Sequence, residues 1–144
     1  MSDLQTSLKF LRSAASTTIY SDPATTKVVI ATCGGIVPGM NVVIRSLVKC
    51  LEQEYGVNQI FGAKYGLAGL AKAQREWVKL TSESLHGIQD KGGSILGTQG
   101  PQVKIRPIYE RLTTHSVRQV YLIGGAGTLR AANELKDLAR RNNT

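Results

Sequence analysis

The chain has 144 residues, 42% of them apolar, and a formal net charge of +8. That length fits one domain with a core of useful size, the apolar share excludes a disordered chain, and no apolar run approaches the ~20 residues of a membrane helix. The charge invites a nucleic-acid reading, but the cations are spread from Lys9 to Arg141 with no run longer than Arg140-Arg141. Scattered cations mark solvated faces, and nucleic acid is set aside as a partner. Cys33 and Cys50 are too few for a disulfide framework and lack metal-ligand spacing. Both fall in apolar patterns, which predicts two reduced core thiols in a cytoplasmic protein. With His86 and His115 the only histidines, a zinc site and a Ser/His/Asp triad are disfavoured.

Residues 1–26 read as an N-terminal helix and a polar connector. Leu4, Leu8, Leu11 and Ala15 share one helical stripe, with Lys9 and Arg12 off it. The plain reading is a packing helix; the sharper alternative is a transit peptide, since Asp3 is the one acid there. Asp22-Pro23 marks a turn. A strand is predicted over Lys27–Thr32. A helix follows over Gly39–Glu54, with Met40, Val43, Ile44, Leu47, Val48 and Leu51 on its buried side, ended by Gly56. Val57–Lys64 is the second strand, so this pair is parallel with a right-handed crossover.

Gly62, Gly66 and Gly69 predict a flexible loop through Leu70, and Trp77–Leu80 a short extended piece. Thr81 is positioned to cap a short helix through Gln89; Ser84 three residues on argues against a capping box. Lys91-Gly92-Gly93-Ser94 opens a second glycine turn. Pro107 suits the first turn of another helix, with Ile108, Tyr109 and Leu112 on its apolar side. Val117–Ile123 is the third clear strand. A last helix over Leu129–Arg141 places Leu129, Ala132, Leu135 and Leu138 inward.

Two of the three glycine turns directly follow clear strands: Gly34-Gly35 after the first, and Gly124-Gly125-Ala126-Gly127-Thr128 after the third. A strand–turn–helix unit leaves backbone N–H groups free at a helix N-terminus, where the macrodipole favours an anion. In an open parallel sheet ligands sit beyond the carboxyl ends of the strands, so these turns and Gly92-Gly93 are expected to converge on one crevice. Each turn can also need glycine for its geometry alone. Neither G-x-G-x-x-G nor a Walker lysine is present, which disfavours an ordinary dinucleotide fold and a P-loop.

The turns in this order resemble phosphofructokinase of the plant and protist branch. The likeness rests on Ile19-Tyr20-Ser21-Asp22-Pro23, on Thr32-Cys33-Gly34-Gly35-Ile36-Val37-Pro38-Gly39-Met40-Asn41, on Gly92-Gly93-Ser94-Ile95-Leu96-Gly97-Thr98 and on Ile123-Gly124-Gly125-Ala126-Gly127-Thr128. It implies an α/β fold, a doubly wound, mostly parallel sheet with helices on both faces, over residues 27–144. It implies transfer of a phosphoryl group from Mg-ATP, or pyrophosphate in some branches, to fructose 6-phosphate. Gly34, Gly35, Gly93, Gly97, Gly124, Gly125, Gly127 and Thr128 become the expected phosphate-binding residues, and Gly127 favours ATP over pyrophosphate.

The resemblance also shows departures. Ala126 stands where the family keeps a magnesium-holding aspartate, and a methyl group cannot ligate a hard cation. Gly100 falls where an arginine clamps the donor phosphates, and Lys104 and Arg106 are wrongly spaced to replace it. Leu67 replaces an aromatic residue beside the nucleotide, and Ala131 a glycine near the adenosine. The family's Thr-Ile-Asp-Asn-Asp stretch, with its base, would follow Asn142-Asn143-Thr144. The expectation is therefore a lobe inactive alone, with no catalytic or metal-binding residue of its own. Its last strand would be open for association in a homo- or hetero-oligomer. A non-catalytic phosphate- or partner-binding module of a larger complex is the alternative.

Overall fold

The computed structural model describes residues 21–72, 74, 77–99 and 103–142. The predicted N-terminal helix and Gly100 lie outside them. Nine short elements follow in order: strand β1 (Lys27–Thr32), helix α1 (Met40–Gln53), β2 (Gln59–Ala63), α2 (Gly66–Ala71), β3 (Val78–Lys79), a 3-10 turn (Ile88–Asp90), α3 (Ile105–Thr114), β4 (Gln119–Ile123) and α4 (Ala126–Arg141). The sheet order is β3-β2-β1-β4. β1 pairs in parallel with β2 and with β4, while β3 runs antiparallel to β2. The chain therefore leaves β1 for one neighbour and returns to the other side of it, making the carboxyl end of β1 the topological switch point.

The period of two along β1 builds two cores. Val28 and Ile30 face one side, where Ile44, Val48 and Leu51 of α1 meet Ile60, Leu85 and Ile88. Val29 and Ala31 face the other, with Leu67, Leu70, Ile105, Ile108 and Leu112 from α2 and α3. All four β1 residues are inaccessible to solvent, as expected of a strand covered by helices on both faces. β4 differs: every residue in it is only half-buried, because the strand forms the open edge of the sheet.

Several expectations need correction. Val43 is 48% exposed and Leu129 is 65% exposed. Each lies at the rim of its helical stripe, where the sheet beneath stops at β4. Cys33 is buried but Cys50 is exposed, for the same reason. The segment expected as a flexible loop after β2 is the short helix α2. Gly62 belongs to β2, and the two glycines within α2 are there for close contact: a Cβ on Gly66 would meet the Thr32 carbonyl at 2.9 Å, and one on Gly69 would strike the Lys64 backbone. The helix expected after Thr81 is a run of turns ending in the 3-10 turn. A reciprocal cap nevertheless forms there. The Ser84 N–H donates to Thr81 Oγ1 at 3.0 Å and the Thr81 N–H donates to Ser84 Oγ at 2.9 Å, with serine in the role glutamate usually fills.

Helix α1 ends where Gly56 takes φ +70°, its N–H donating to the Glu52 carbonyl at 3.2 Å. Helix α3 ends in a left-handed turn built on Ser116, φ +54°, with Val117 donating to Leu112 and Ser116 to Thr113.

Candidate functional site

The three glycine turns meet at the switch point. The first leaves β1 at Cys33, whose N–H donates to the Ile123 carbonyl at the end of β4 at 2.8 Å. The Gly34 N–H donates to the Gln99 carbonyl at 3.1 Å, which ties the first turn to the segment after the second. Thr32, fully buried, bonds to Ser94 Oγ at 2.9 Å and donates to the Gly97 carbonyl at 2.7 Å. The third turn presses on the first: a Cβ on Gly124 would stand 2.7 Å from the Cys33 carbonyl and would strike the Thr128 hydroxyl. The three turns are therefore bound to one another at the carboxyl end of β1 and form a shelf on which Gly35 and Gly125 are exposed.

The glycines divide by what surrounds them. Gly124 and Gly97 have packing reasons to lack a side chain; Gly97, at φ +63°, lies against the ring of Tyr65. Gly34, Gly35, Gly92, Gly93 and Gly125 face open space, with nothing within 4 Å of a Cβ built on any of them. Gly34 (φ +82°) and Gly93 (φ +78°) still need glycine for their backbone. Gly35 and Gly125 need it for neither reason.

Two helix N-termini point at this shelf. Gly39 caps α1 and Gly125 caps α4, neither helix has a side-chain cap among the described residues, and neither has an acid in its first turn. Thr128 and Leu129 donate to the Gly125 carbonyl at 2.9 and 3.1 Å, so the N–H groups of Ala126 and Gly127 precede the first bond of α4. Such N–H groups attract an anion by both hydrogen bonding and the helix dipole. Thr128 itself is 3% exposed and belongs to the wall of the site.

The family model for phosphofructokinase matches residues 27–143. The chain belongs to the phosphofructokinase family. It is 45% identical over 128 residues to the ATP-dependent 6-phosphofructokinase of Entamoeba histolytica, covering 85% of this chain and 28% of that protein. It is 36% identical over 138 residues to ATP-dependent 6-phosphofructokinase 2 of Arabidopsis thaliana, covering 95% of this chain and 31% of that one. The chain thus spans less than a third of the length of these relatives. Among solved structures, the pyrophosphate-dependent phosphofructokinase of Marinobacter aquaeolei superposes with a TM-score of 0.73 at 15% identity, over 82% of this chain and 31% of that one. The Pichia pastoris phosphofructokinase in the T-state gives 0.70 at 24% identity, over 78% of this chain and 12% of its own. These two likenesses establish the α/β fold.

The donor set of this phosphofructokinase lobe fits phosphate better than metal. The turn 124–128 offers backbone N–H groups and a hydroxyl, with a methyl group at Ala126 and no carboxylate. Among the described residues no group of three His, Cys, Asp or Glu side chains could hold a metal ion. Leu67 and Ala131 are 1% and 7% exposed and belong to the core beside Cys33, so neither side chain lines the shelf. Arg106 is committed to Glu110 at 3.1 Å on the solvent face of α3.

Sequence reasoning missed three residues. Thr32 and Asn41 are polar side chains among the most buried residues of the chain, and their signal was a polar residue on an apolar stripe. Tyr65 is half exposed with φ +64°, a costly backbone for tyrosine. Its N–H is fixed to the Leu96 carbonyl at 2.7 Å, and its ring covers Gly97 at the edge of the second turn. No sequence pattern signals that conformation.

Cys33, at the root of the first turn, is held above the usual thiol range by burial, against a smaller opposite effect from a hydrogen bond with the Leu67 backbone. It is a packing residue and not a nucleophile. No helix among the described residues is long and apolar enough to cross a membrane.

Proposed function

We propose that this chain is a phosphofructokinase lobe that holds phosphate groups on its backbone and does not itself transfer them. The family reaction passes a phosphoryl group from Mg-ATP to the 1-hydroxyl of fructose 6-phosphate. In this reading the N–H groups of Gly35 and of Gly125-Ala126-Gly127 take the phosphates of ATP, ADP or pyrophosphate, Gly34 gives the first turn its left-handed bend, and Gly93 closes the third side. Gly97, Gly124 and Thr128 shape the shelf behind them. The observation that carries the reading is the open space over Gly35, on the turn that leads into α1, and over Gly125, the N-cap of α4, with no side-chain cap on either helix.

Transfer needs metal, charge neutralisation and a base as well as positioning. Ala126 supplies no ligand to Mg²⁺, and Gly100 no cation to the donor phosphates. Each such group contributes about 2–4 kcal/mol to a transition state of this kind, so losing two of them leaves little rate.

A second reading, a working half-site completed by another chain, is favoured by the open edge of β4. Tyr121 and Ile123 are half-buried on the α1 side, beside Leu47 and the exposed Val43. A strand edge flanked by apolar side chains invites pairing, and a second protomer or a phosphofructokinase partner fits that side. The free thiol on the surface at Cys50 suits a reducing compartment such as the cytoplasm.

Calorimetric titration with ATP, ADP and pyrophosphate tests the cradle: saturable binding of all three, without a magnesium requirement, is expected. An assay with Mg-ATP and fructose 6-phosphate tests the rest. Turnover by this chain alone overturns the first reading, and turnover only with an added partner lobe supports the second.

A further inference from the structure

The shelf has an apolar rim that phosphate groups leave unused. Among the described residues eight large apolar side chains are exposed, and five of them stand here. Ile36, Val37, Ile95 and Leu129 lie in the three glycine turns or directly after them, and the ring of Tyr65 lies against Gly97 of the second. A bare phosphate anion is hydrated and gains nothing from such a rim; a ligand with an apolar part does. Tyr65 is the aromatic one of the five and is held in place. Its backbone is left-handed, φ +64° and ψ +43°, which asparagine or glycine adopts at lower cost. The Tyr65 N–H is fixed to the Leu96 carbonyl at 2.7 Å, and the ring packs where a Cβ on Gly97 would stand 3.1 Å from its Cδ1. Seated on Gly97, the residue is still 49% exposed. Gly66, the next residue, lies against the end of β1: a Cβ on it would meet the Thr32 carbonyl at 2.9 Å and the Cys33 sulfur at 3.4 Å. The ring thus stands beside the strand end that turns into Gly34-Gly35.

We propose that Tyr65 is the base platform of the shelf. Its ring takes the flat face of a nucleotide base whose phosphates lie on the N–H groups of Gly35 and of the third turn, so the chain selects nucleoside polyphosphates over inorganic pyrophosphate. This rests on the phosphate-cradle reading above and adds the class of ligand to it. A ring fixed in advance loses little freedom on stacking. Every base has a π-face, so stacking of this kind is tolerant of base identity. The selection is therefore for a base, purine of either kind included, and not for adenine.

The test titrates ADP, GDP and inorganic pyrophosphate, each with two phosphates, into the parent, Tyr65→Phe and Tyr65→Asn by calorimetry. Asparagine tolerates the left-handed backbone and removes the ring. Thermal melting checks that each variant is folded, and Tyr65→Gly repeats the measurement if asparagine disturbs the turn. The parent should bind ADP and GDP within about threefold of each other, and both roughly tenfold or more tighter than pyrophosphate. Tyr65→Phe should keep that preference. Tyr65→Asn should bring both nucleotides down to the level of pyrophosphate, whose own affinity should match the parent's. Pyrophosphate bound by the parent as tightly as ADP overturns the platform and leaves the cradle standing. So does a nucleotide preference that survives in Tyr65→Asn, or one lost there only together with pyrophosphate affinity, the mark of a purely structural role over Gly97. A parent that binds none of the three ligands removes the cradle itself, and the platform with it.

Discussion

The side-chain carbonyl of Asn41, on the first turn of α1, accepts the backbone N–H of Ile95 at 2.8 Å, while its amide donates to the Lys91 carbonyl at 2.8 Å. One buried side chain thus grips the second glycine turn at both of its ends and fixes it against the first. The two bonds use donor and acceptor, so no isosteric hydrocarbon can replace the residue. Asn41→Ala leaves a buried N–H and a carbonyl short of partners, at about 1–3 kcal/mol each. We expect Asn41→Ala to lower Tm by several degrees and to speed amide exchange at 92–96. Asn41→Asp keeps the acceptor but sets a buried carboxylate oxygen against the Lys91 carbonyl, so it should also melt below the parent, and increasingly so as pH rises. Thermal melting with exchange mass spectrometry checks both variants; either one melting with the parent would contradict the role given to Asn41.

Gly34 and Gly35 are adjacent but answer differently to a methyl group. At Gly34 the backbone is left-handed, φ +82°, so Gly34→Ala should cost about 1–2 kcal/mol of stability. At Gly35 the added Cβ meets open space, so Gly35→Ala should leave stability within about 0.5 kcal/mol of the parent. Its methyl would nevertheless stand where a phosphate oxygen approaches. Pyrophosphate affinity should fall roughly tenfold or more for Gly35→Ala. Unaltered affinity in a well-folded Gly35→Ala would remove the cradle.

Ser116 closes α3 in a left-handed conformation, φ +54°, that glycine adopts without strain. The turn bonds from Val117 and Ser116 do not involve its side chain. Ser116→Gly should therefore stabilise the chain by about 0.5–1 kcal/mol, seen as a Tm rise of about 2–4 °C for a domain of this size. A lower Tm would mean that the hydroxyl makes a contact worth more than the strain.

The fold was legible where period and punctuation agreed. β1 has the bounds expected of it because five apolar or β-branched residues run between a polar connector and a glycine pair. α1 and α4 start at glycines that serve as caps, and their stripes were readable. What failed were the stripe margins. Val43 and Leu129 have the right period but overhang an edge strand, and only the sheet order tells which margin has nothing beneath it. Tertiary contact also overruled local propensity at α2, where Gly66 and Gly69 permit the backbone of Thr32 and Lys64 to come close. At the site, the glycine turns and their convergence could be expected from strand–turn–helix order. The division among the glycines could not, since Gly124 and Gly125 read alike in sequence and differ in whether Thr128 and Cys33 crowd them. Thr32 and Asn41, which lock the turns together, stand out in sequence only as polar residues on apolar stripes, and their partners lie fifty or more residues away.

The two thiols should separate in reactivity. Cys50 is exposed on α1, while Cys33 is 1% exposed and held above the usual thiol range by burial. One thiol per native chain is expected to react rapidly with a disulfide reagent, the second only on unfolding. Because the Cys33 value is raised on folding, the native state holds that proton more tightly than the unfolded state. The resulting stability is full below the ordinary thiol value of about 8.5 and is lost as pH rises above it. Cys33→Ser changes the titrating group, so the parent should lose stability above pH ~8.5 more steeply than the variant. Parallel pH profiles would assign the loss elsewhere.

Ala126 is the first residue of α4, exposed beside the N–H groups of the third turn, and the charge placed there decides how metal and phosphate act on each other. In the parent the shelf offers only N–H groups and open space, so ATP should bind about equally with and without Mg²⁺. Ala126→Asp brings a carboxylate to the helix N-terminus, which favours the helix by about 0.3–1 kcal/mol and should not harm the fold. Without magnesium that carboxylate faces the phosphates and repels them, so affinity for ATP should fall. With magnesium it supplies the hard oxygen ligand that the methyl group lacks, and affinity should rise above the parent's by roughly tenfold, about 1.4 kcal/mol. The two shifts have opposite signs, which no change in folding or in general binding strength would produce. Calorimetry of ATP with and without Mg²⁺ reads them directly. No fructose bisphosphate should form in either case, because the metal ligand does not restore the phosphate clamp. Shifts of the same sign under both conditions would show that phosphate binds somewhere other than the end of α4.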